Sequence, residues 1–397
     1  MHIIDPVSFE AGSWEERFPF GRRWKTADDL IVSVLTQLSR RILLSQEAKQ
    51  YPDLVTFGFF CRKSNIKSEI QKISYLKTSI GWGTVLHITP SNIPINFAYS
   101  FVMGLLSGNS NIVRLPSRSY PQNDLFLKLL SDIFAESKFS ELSRGIRFIQ
   151  TPRESKKLDE IILKCDGLTV WGSDETVKRF KRLPKKARCV EVYFPNRSSS
   201  TVISAQCYLD LSPEEKNKVA HSFFNDTYLV DQNACSSPTI VFWLGPEPIV
   251  TEAKTVFWRK LARELEHGYS LDPVARIDKI LDIMRICEAE GKALLLSAWH
   301  PDAWVIDEQC ASRYPLRFGA FAEVYIDDVD QIASFLRPNE QTLTTLGVDP
   351  LDLFSILAES ETTIVDRIVP IGQALDIGLQ WDGKKMIDIL SRKVEVR

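Results

Sequence analysis

The stretch GTVLHITPSNIPINFAYSFVMGLLSGNSNIVRLPS, residues 83–117, contains the repeating unit that decides the fold. It begins with a compact apolar run, GTVLHIT, which predicts a buried strand, and PSNIP after it is typical of a turn. INFAYSFVMGLLSGN then has the spacing of an apolar helix, and Gly108-Asn109 is a favourable helix stop. NIVRLPS predicts a second strand, which Pro116 ends. This order of strand, helix and strand indicates a parallel sheet.

The same alternation continues along the chain. Residues 121–137 predict a helix, and IRFIQ and GLTVW predict two more strands. Strands and helices at this spacing predict a doubly wound α/β layout, which commonly binds nucleotides. Gly172 and Ser173 open the helix after GLTVW, where free backbone N–H groups favour an anion such as a phosphate. No Gly-x-Gly-x-x-Gly fingerprint follows any predicted strand, so the commonest dinucleotide motif is absent.

The second half of the chain predicts another α/β domain. A helix over 212–228 leads into the segment DQNACSSP and the strand TIVFW. Long helices are predicted over 249–267 and 273–290, followed by strands at AWVID and AEVYID. We therefore predict a nucleotide-binding domain formed by residues 1–205 with 345–397. Residues 206–344 are predicted to form the second domain.

Composition excludes several classes of function. The chain has 397 residues, 44% of them hydrophobic and 25% charged, and its net charge is −2. This balance gives no electrostatic preference for nucleic acid. The longest mainly apolar stretch, residues 93–106, is interrupted by Pro94, Asn96 and Gly104, which predicts a buried helix and no membrane span. The first residues have no secretory signal pattern, so we expect a cytoplasmic protein.

The seven cysteines are scattered, and their number is odd. They include no Cys-x-x-Cys pair and no Cys/His cluster, so a disulfide scaffold and a metal site are both poor interpretations. Cys235 differs from the others because short polar residues surround it in DQNACSSPTIVFW. From this segment alone it is either a buried packing residue, the commoner state, or a reactive thiol.

Three segments, in order, resemble motifs of the aldehyde dehydrogenase superfamily. ITPSNIP resembles its xxPWNFP turn, SGNSNIVRLPS resembles AGNxVVxKPSE, and VWGS resembles FTGS. QNACSSP and the tail RIVPIGQALDIGLQWDG look closer to a narrower branch, the LuxC family of fatty acyl-CoA reductases. The resemblance covers about residues 81–383, discontinuously. It implies an aldehyde-dehydrogenase-like α/β fold with a Rossmann-type cofactor domain and a second α/β catalytic domain.

The resemblance also implies roles for particular residues. Cys235 looks like the nucleophile that accepts the acyl group. Asn92 looks like the side-chain amide that stabilises the oxyanion together with the Cys235 backbone N–H. The residues implied to contact the cofactor are Thr89, Pro90, Gly172 and Ser173.

Two departures from the superfamily motifs affect the cofactor and the water-activating base. The KPSE lysine aligns with Leu115, and the flanking Arg114 and Arg118 favour a 2′-phosphate, so we expect NADPH, with NADH as the alternative. Glu191 in VEVYFPN is the nearest counterpart of the ELGG glutamate, but both glycines are gone. The ExFGP glutamate is replaced by Leu316. Loss of this glutamate, or a shift in its register, fits an enzyme that does not hydrolyse its thioester.

These observations support three hypotheses. The first is NADPH-dependent reduction of a fatty acyl-CoA or acyl thioester to the aldehyde through an acyl-enzyme on Cys235. The second is a conventional aldehyde dehydrogenase that uses Glu191 to activate water. The third is a non-catalytic subunit that holds a partner. An acyl-activating partner enzyme and a homo-oligomer are both compatible with the resemblance. Acyl chain length and acyl donor are left open.

Overall fold

A computed structural model describes residues 23–73, 75–307, 316–360 and 365–397, together with the backbone of Ile4–Asp5. Cys310 lies outside these residues. The chain divides into two compact units. The first consists of Met1–Pro195 and Ile377–Arg397, and the second consists of Asn196–Asp376.

Among the described strands, six form the parallel sheet of the first unit. The first-unit strands from the N-terminal part of the chain are Ile4–Asp5 (β1), Ser79–Gly81 (β2), Thr84–Ile88 (β3), Ser110–Arg114 (β4), Ile146–Ile149 (β5), Gly167–Trp171 (β6) and Val190–Phe194 (β7). The sheet order is β1-β5-β4-β3-β6-β7. The strands predicted from GTVLHIT, NIVRLPS, IRFIQ and GLTVW are therefore confirmed. The order reverses between β3 and β6, and in such sheets ligands bind at the carboxyl ends of the strands on either side of that point.

The helices of the first unit lie before, between and after these strands. They are Asp29–Leu44 (α1), Pro52–Phe60 (α2), Lys63–Gln71 (α3), Asn96–Leu106 (α4), Pro121–Phe134 (α5), Ser140–Arg144 (α6), Lys156–Lys164 (α7) and Asp174–Arg182 (α8). In α4 every residue from Phe97 to Leu106 is buried. A helix that is buried on all sides lies in the interior, which explains why this segment is mainly apolar.

A buried polar network joins β3, β4, β6 and α4. The imidazole of His87 is fully buried, with Nδ1 2.8 Å from Ser100 Oγ and Nε2 2.9 Å from Asn111 Oδ1. Trp171 Nε1 donates to the same Ser100 Oγ at 3.1 Å. Gly104 makes room for the network, because a Cβ there would lie 2.1 Å from Asn111 Oδ1. Burial lowers the pKa of His87 from 6.5 to about 4, so the ring is neutral near pH 7.

A seven-stranded sheet forms the centre of the second unit. Its strands are Ser198–Ser204 (β8), Pro238–Leu244 (β9), Leu296–His300 (β10), Ala303–Asp307 (β11), Ala320–Ile326 (β12), Glu340–Leu346 (β13) and Arg367–Pro370 (β14). The order is β10-β11-β12-β9-β8-β13-β14, and every neighbouring pair is parallel except β10 with β11. Along β9, Ile240 and Phe242 belong to one apolar cluster, while Val241 and Trp243 belong to another. Both faces of this sheet are therefore covered, as expected for parallel strands.

The helices of the second unit confirm the predicted helical segments. They are Ala205–Asp210 (α9), Pro213–Thr227 (α10), Glu247–Glu266 (α11), Pro273–Glu290 (α12), Ile332–Phe335 (α13) and Pro350–Glu359 (α14). Ser212 and Glu215 form a reciprocal capping box at the start of α10, which fixes where that helix begins. Within the described ranges, no helix combines the length and apolar character needed to cross a membrane.

The second unit is longer at both ends than the predicted segment 206–344. Strand β8 comes before residue 206 and β14 comes after residue 344, yet both pair with β13. The sheet therefore runs from Ser198 to Pro370, within the unit Asn196–Asp376. The last part of the chain belongs to the first unit, where Ser391–Lys393 (β17) pairs antiparallel with β2. The other elements of this part are Gln380–Trp381 (β15), Lys384–Lys385 (β16) and Met386–Leu390 (α15).

We expect the stability cost of His87→Gln to depend on pH. The pKa of His87 is lowered from 6.5 to about 4 in the folded protein. Between these two pH values the unfolded chain therefore takes up a proton at His87 that the folded protein does not. The contribution of His87 to the unfolding free energy of the wild type should therefore fall by about 2–3 kcal/mol as the pH drops from about 7.5 to about 4.5. The variant lacks this contribution, so the difference in unfolding free energy between the wild type and His87→Gln should become smaller as the pH falls.

Urea unfolding followed by tryptophan fluorescence at both pH values measures this difference. His221→Gln, at a position whose side chain is 60% exposed, is the control, and because it keeps His87 its unfolding free energy should follow that of the wild type at both pH values. A wild-type-to-variant difference that stays constant across the two pH values would contradict a neutral, buried His87.

Candidate active site

Cys235 lies half-buried in a loop between a short 3-10 helix, Tyr228–Val230, and the amino end of β9. Two consecutive residues of the loop, Asp231 and Gln232, have left-handed backbones with φ of 50° and 57°. Such conformations cost about 1–3 kcal/mol each outside glycine and persist only where the surroundings fix them. Tyr269 supplies one restraint, because its hydroxyl donates to Asp231 Oδ1 at 2.8 Å.

The buried side chain of Gln232 supplies further restraints. Its Nε2 donates to the carbonyl oxygens of Pro238 at 2.9 Å and Ala320 at 3.1 Å. Its Oε1 accepts from the backbone N–H of Gly319 at 2.9 Å. The loop is thereby tied to both β9 and β12, and the position of Cys235 is set by residues far away in the sequence.

Ser199 connects the cysteine loop to the neighbouring strands. Its hydroxyl donates to the Cys235 carbonyl oxygen at 2.7 Å and accepts from the Thr342 backbone N–H at 3.1 Å. Gln341 Nε2 donates to Cys235 Sγ at 3.2 Å. Strand β8 lies between β9 and β13, so the loop before β9 and the start of β13 meet at the amino edge of the sheet. Ser199, Gln341 and Thr342 are all fully buried.

A buried carboxylate fixes the strands beside this site. Glu340 accepts from Ser200 Oγ at 2.5 Å through Oε1, and from Ser198 Oγ at 3.0 Å and Arg337 Nε at 3.2 Å through Oε2. Arg337 Nη2 also donates to Thr239 Oγ1 at 3.0 Å. Buried charges are tolerated when they are paired and hydrogen-bonded in this way. Glu340 therefore holds β13 against β8 and β9.

Asp226 connects the cysteine loop to the segment after β14. Its carboxylate accepts from the backbone N–H groups of Gly372 at 2.6 Å and Ala374 at 2.8 Å. Its own carbonyl oxygen accepts from Ser237 Oγ at 2.7 Å. Burial raises the pKa of Asp226 to about 7, although the two N–H donors oppose the shift.

In the first unit, the predicted cofactor residues lie at the carboxyl edge of the sheet. Thr89 and Pro90 follow β3, Gly172 and Ser173 follow β6, and these two strands are neighbours. Ser173 is the N-cap of α8, and its Oγ accepts from the Thr176 backbone N–H at 3.2 Å. The structure thus brings all four residues to the point where the sheet order reverses.

Arg114 ends β4 at the same edge and is only 1% exposed. Its Nε donates to the Thr151 carbonyl oxygen at 2.8 Å, and its Nη2 donates to Ser117 Oγ at 2.7 Å. The buried Nη1 has no hydrogen-bond partner. Burial, reinforced by the charge of Arg153, lowers the pKa of Arg114 to about 10. An unsatisfied buried guanidinium nitrogen is costly, and an anion would satisfy it.

Arg153 is a residue that the sequence analysis missed. It follows β5 and donates to Thr176 Oγ1 at 3.5 Å and to the Thr89 carbonyl oxygen at 3.4 Å. Its position in TPRES falls outside every motif quoted above. The signal available was an arginine just after a predicted parallel strand. Arg118, in contrast, is exposed and lies 5.2 Å from the Tyr120 ring, in a cation–π contact.

Glu191 is not brought to the carboxyl edge. It is the second residue of β7 and pairs with Leu168, in the amino-terminal half of β6. Lys185 Nζ lies 3.2 Å from its Oε2, and the Tyr193 hydroxyl donates to the same oxygen. The carboxyl end of β7 instead carries Phe194, which stacks on Trp171.

The remaining predicted residues occupy different environments. Asn92 is exposed in the loop between β3 and α4. The loop is held by Tyr120, whose hydroxyl donates to the Ser91 carbonyl oxygen at 2.7 Å. Leu316, which stands in place of the ExFGP glutamate, is 2% exposed in an apolar cluster of the second unit and is a packing residue.

The chain has the aldehyde dehydrogenase fold. One unit contains a parallel sheet with a reversal point, and the other contains a cysteine loop at the edge of a larger sheet. NAD-dependent benzaldehyde dehydrogenase from Corynebacterium glutamicum matches with a TM-score of 0.63 at 10% identity, over 93% of this chain and 83% of that one. Propionaldehyde dehydrogenase from Rhodopseudomonas palustris matches with a TM-score of 0.59 at 12% identity, over 98% of this chain and 97% of that one. The fold expected from the motifs is confirmed.

The sequence profile of the acyl-CoA reductase (LuxC) family matches residues 67–393, and the chain belongs to this family. A curated relative is the long-chain acyl-protein thioester reductase of Vibrio harveyi, which is 24% identical over 271 residues. The alignment covers 66% of this chain and 53% of the relative, so it spans about half the length of that protein. The family indicated by the cysteine loop and the tail is confirmed.

We expect Ser199→Ala to loosen the cysteine loop. The change removes the hydroxyl that bridges Cys235 and Thr342, and leaving buried backbone groups without this bond costs about 1–3 kcal/mol. Hydrogen exchange followed by mass spectrometry should show faster exchange in peptides that cover residues 231–237. Peptides covering β3 in the other unit should be unchanged.

Ser198→Ala is the matched control, because the Ser198 hydroxyl bonds Asn339 and Glu340 and not the cysteine loop. Equal protection of residues 231–237 in both variants would show that Ser199 does not anchor the loop.

Proposed function

We propose that this protein reduces a fatty acyl thioester to the aldehyde with NADPH, through an acyl-enzyme on Cys235. The observation that carries the proposal is the fixed cysteine loop, in which a buried amide donates to the Cys235 sulfur. Membership of the acyl-CoA reductase family supports the reductive direction. The name of the Vibrio harveyi relative supports a long acyl chain held as a thioester.

The chain's own residues supply the nucleophile and the oxyanion donors. The Cys235 thiolate attacks the thioester carbonyl carbon, an S–C bond forms, and the donor thiolate leaves, so the acyl group is carried on Sγ. The Cys235 backbone N–H stabilises charge on the carbonyl oxygen, and the resemblance assigns the second donor to Asn92. The nicotinamide, when bound, supplies the hydride that takes the acyl group to the aldehyde.

The position of Glu191 favours reduction over hydrolysis. A hydrolytic aldehyde dehydrogenase needs a carboxylate that activates water against the acyl-enzyme. Glu191 lies towards the amino end of β7 and is engaged by Lys185 and Tyr193. These contacts favour a structural role for Glu191, and the hypothesis of a conventional dehydrogenase loses its main support.

Arg114 and Arg153 favour NADPH over NADH. The buried Nη1 of Arg114, which has no hydrogen-bond partner, together with the charge of Arg153 favours a dianionic phosphate monoester such as the 2′-phosphate of NADPH. We assign the adenosine end of the cofactor to this pair, and the pyrophosphate to the turn at Gly172 and Ser173. Arg153 therefore replaces Arg118 in our assignment.

The acyl-enzyme mechanism predicts that Cys235 can be loaded with an acyl group. Incubation with long-chain acyl-CoA should add one acyl group to the intact protein, and peptide mapping should locate it on Cys235. Cys235→Ala should lose both the adduct and aldehyde formation with NADPH, because no other residue takes the role of nucleophile. Cys207→Ala, at another half-buried cysteine of the same unit, is the control and should load normally. Full aldehyde formation by Cys235→Ala would overturn the acyl-enzyme mechanism.

The same assay identifies the acyl donor. Acyl-CoA and an acyl group carried on a protein thiol are offered separately to the wild type. The donor that loads faster at equal concentration defines the substrate, while an adduct on Cys235 from either one supports the mechanism.

The assignment of Arg153 predicts that this residue distinguishes NADPH from NADH. Arg153→Ala should weaken NADPH binding by about tenfold or more and leave NADH binding nearly unchanged, because only NADPH carries the 2′-phosphate. Isothermal titration calorimetry with 2′,5′-ADP and with ADP tests the same difference without the reduction step. Arg118→Ala is the matched control and should behave like the wild type. Equal losses for both cofactors would contradict the assignment.

A further inference from the structure

Gln341 occupies an irregular position in the sheet next to the nucleophile. The pairing of β13 with β8 runs from Glu340–Ser198 directly to Thr342–Ser199, so Gln341 is an extra residue in β13. A β-bulge of this kind redirects a side chain and is common beside active sites. Here the redirected amide lies with Nε2 3.2 Å from Cys235 Sγ.

The Thr342 hydroxyl contacts the other end of the amide and donates to Gln341 Oε1 at 3.4 Å. In this orientation the NH₂ group faces the sulfur. Gln341 is fully buried, and a buried amide is costly unless its hydrogen bonds are made. A neutral thiol is a weak acceptor, whereas a thiolate accepts a charge-assisted bond. The donor is therefore better matched to the thiolate than to the thiol.

We propose that Gln341 is a positioning residue whose side-chain N–H holds the Cys235 sulfur as a thiolate, in one rotamer. This inference rests on the proposed acyl-enzyme function. On attack, the thiolate electron pair forms the S–C bond and the donor thiolate leaves. On release of the aldehyde, the S–C bond breaks, the pair returns to sulfur, and the amide N–H stabilises it again. Gln341 supplies neither a proton nor an electron in either step.

A purely structural role makes a different prediction. If Gln341 only fills space at the bulge, a side chain of similar length and volume should preserve the reactivity of Cys235. Gln341→Met keeps the shape and removes the donor, because methionine adapts well to buried positions. Gln341→Glu keeps the shape and places a like charge beside the sulfur.

The test is the pH profile of Cys235 alkylation by iodoacetamide, measured by peptide mass spectrometry on the full chain. In Gln341→Met the midpoint of the profile should move up by about one pH unit, with about tenfold slower alkylation below the midpoint. In Gln341→Glu it should move further. Cys207 alkylation in the same samples is the internal control and should not change. Altered reagent access would change the plateau of the profile and not its midpoint.

A midpoint that stays at the wild-type value in both variants would overturn the inference. If Gln341→Glu does not fold, the nearly isosteric Gln341→Met still decides the question. Failure of the proposed function is detected separately, as the absence of an acyl adduct on Cys235 in the wild type. A shifted alkylation profile without an adduct would leave Gln341 controlling the thiolate of a protein with another activity.

Discussion

The register of β8 between two irregular neighbours is the constraint on which the candidate active site depends. Ser199 pairs with Pro238 on one side and with Thr342 on the other, and each partner strand has an extra residue at this level, Thr239 and Gln341. Because the strands are parallel, their amino ends meet at one edge, and the bulges bring side chains to that edge that a regular ladder would direct elsewhere. The Ser199 hydroxyl then fixes the cysteine loop to both strands.

The two units use buried polar groups in different ways. In the second unit, Gln232, Glu340 and Asp226 accept or donate several hydrogen bonds each, and together they fix the strained loop and the strands beside it. In the first unit, Arg114 leaves one nitrogen without a partner at the carboxyl edge of the sheet. A satisfied network fixes the groups it contains, whereas a buried polar group without a partner is unusual in a folded protein. This contrast distinguishes the cysteine loop from the sheet edge at Arg114.

Much of the fold could be predicted from the sequence because it depends on the local spacing of apolar residues. The apolar runs of β3, β4 and β6 and the helical spacing of α4 each depend on neighbours along the chain. The unit boundaries could not be predicted in this way, since β8 and β14 look like any other strands until their pairing with β13 is known. The register of β7 likewise decides that Glu191 points away from the edge that its motif suggested.

The candidate site divides along the same line. Cys235, Asn92 and the turn at Gly172 and Ser173 lie in motifs that resemble known ones, so the sequence alone predicts them as candidates. Arg153 and Gln341 lie outside such motifs. Neither could be predicted, because the residue with which each interacts lies in a different part of the chain. Arg118 was predicted because it flanks Leu115 together with Arg114, but its guanidinium lies against the Tyr120 ring.

The anchoring of Gln232 also bears on the order in which the protein folds. Its three side-chain bonds reach Pro238 in β9 but also Gly319 and Ala320 at the start of β12, so the left-handed loop cannot be held until β12 has docked on β9. Contacts between segments so far apart in sequence form late, because their loop closure must come first. We therefore expect the loop that carries Cys235 to reach its final conformation only late in folding.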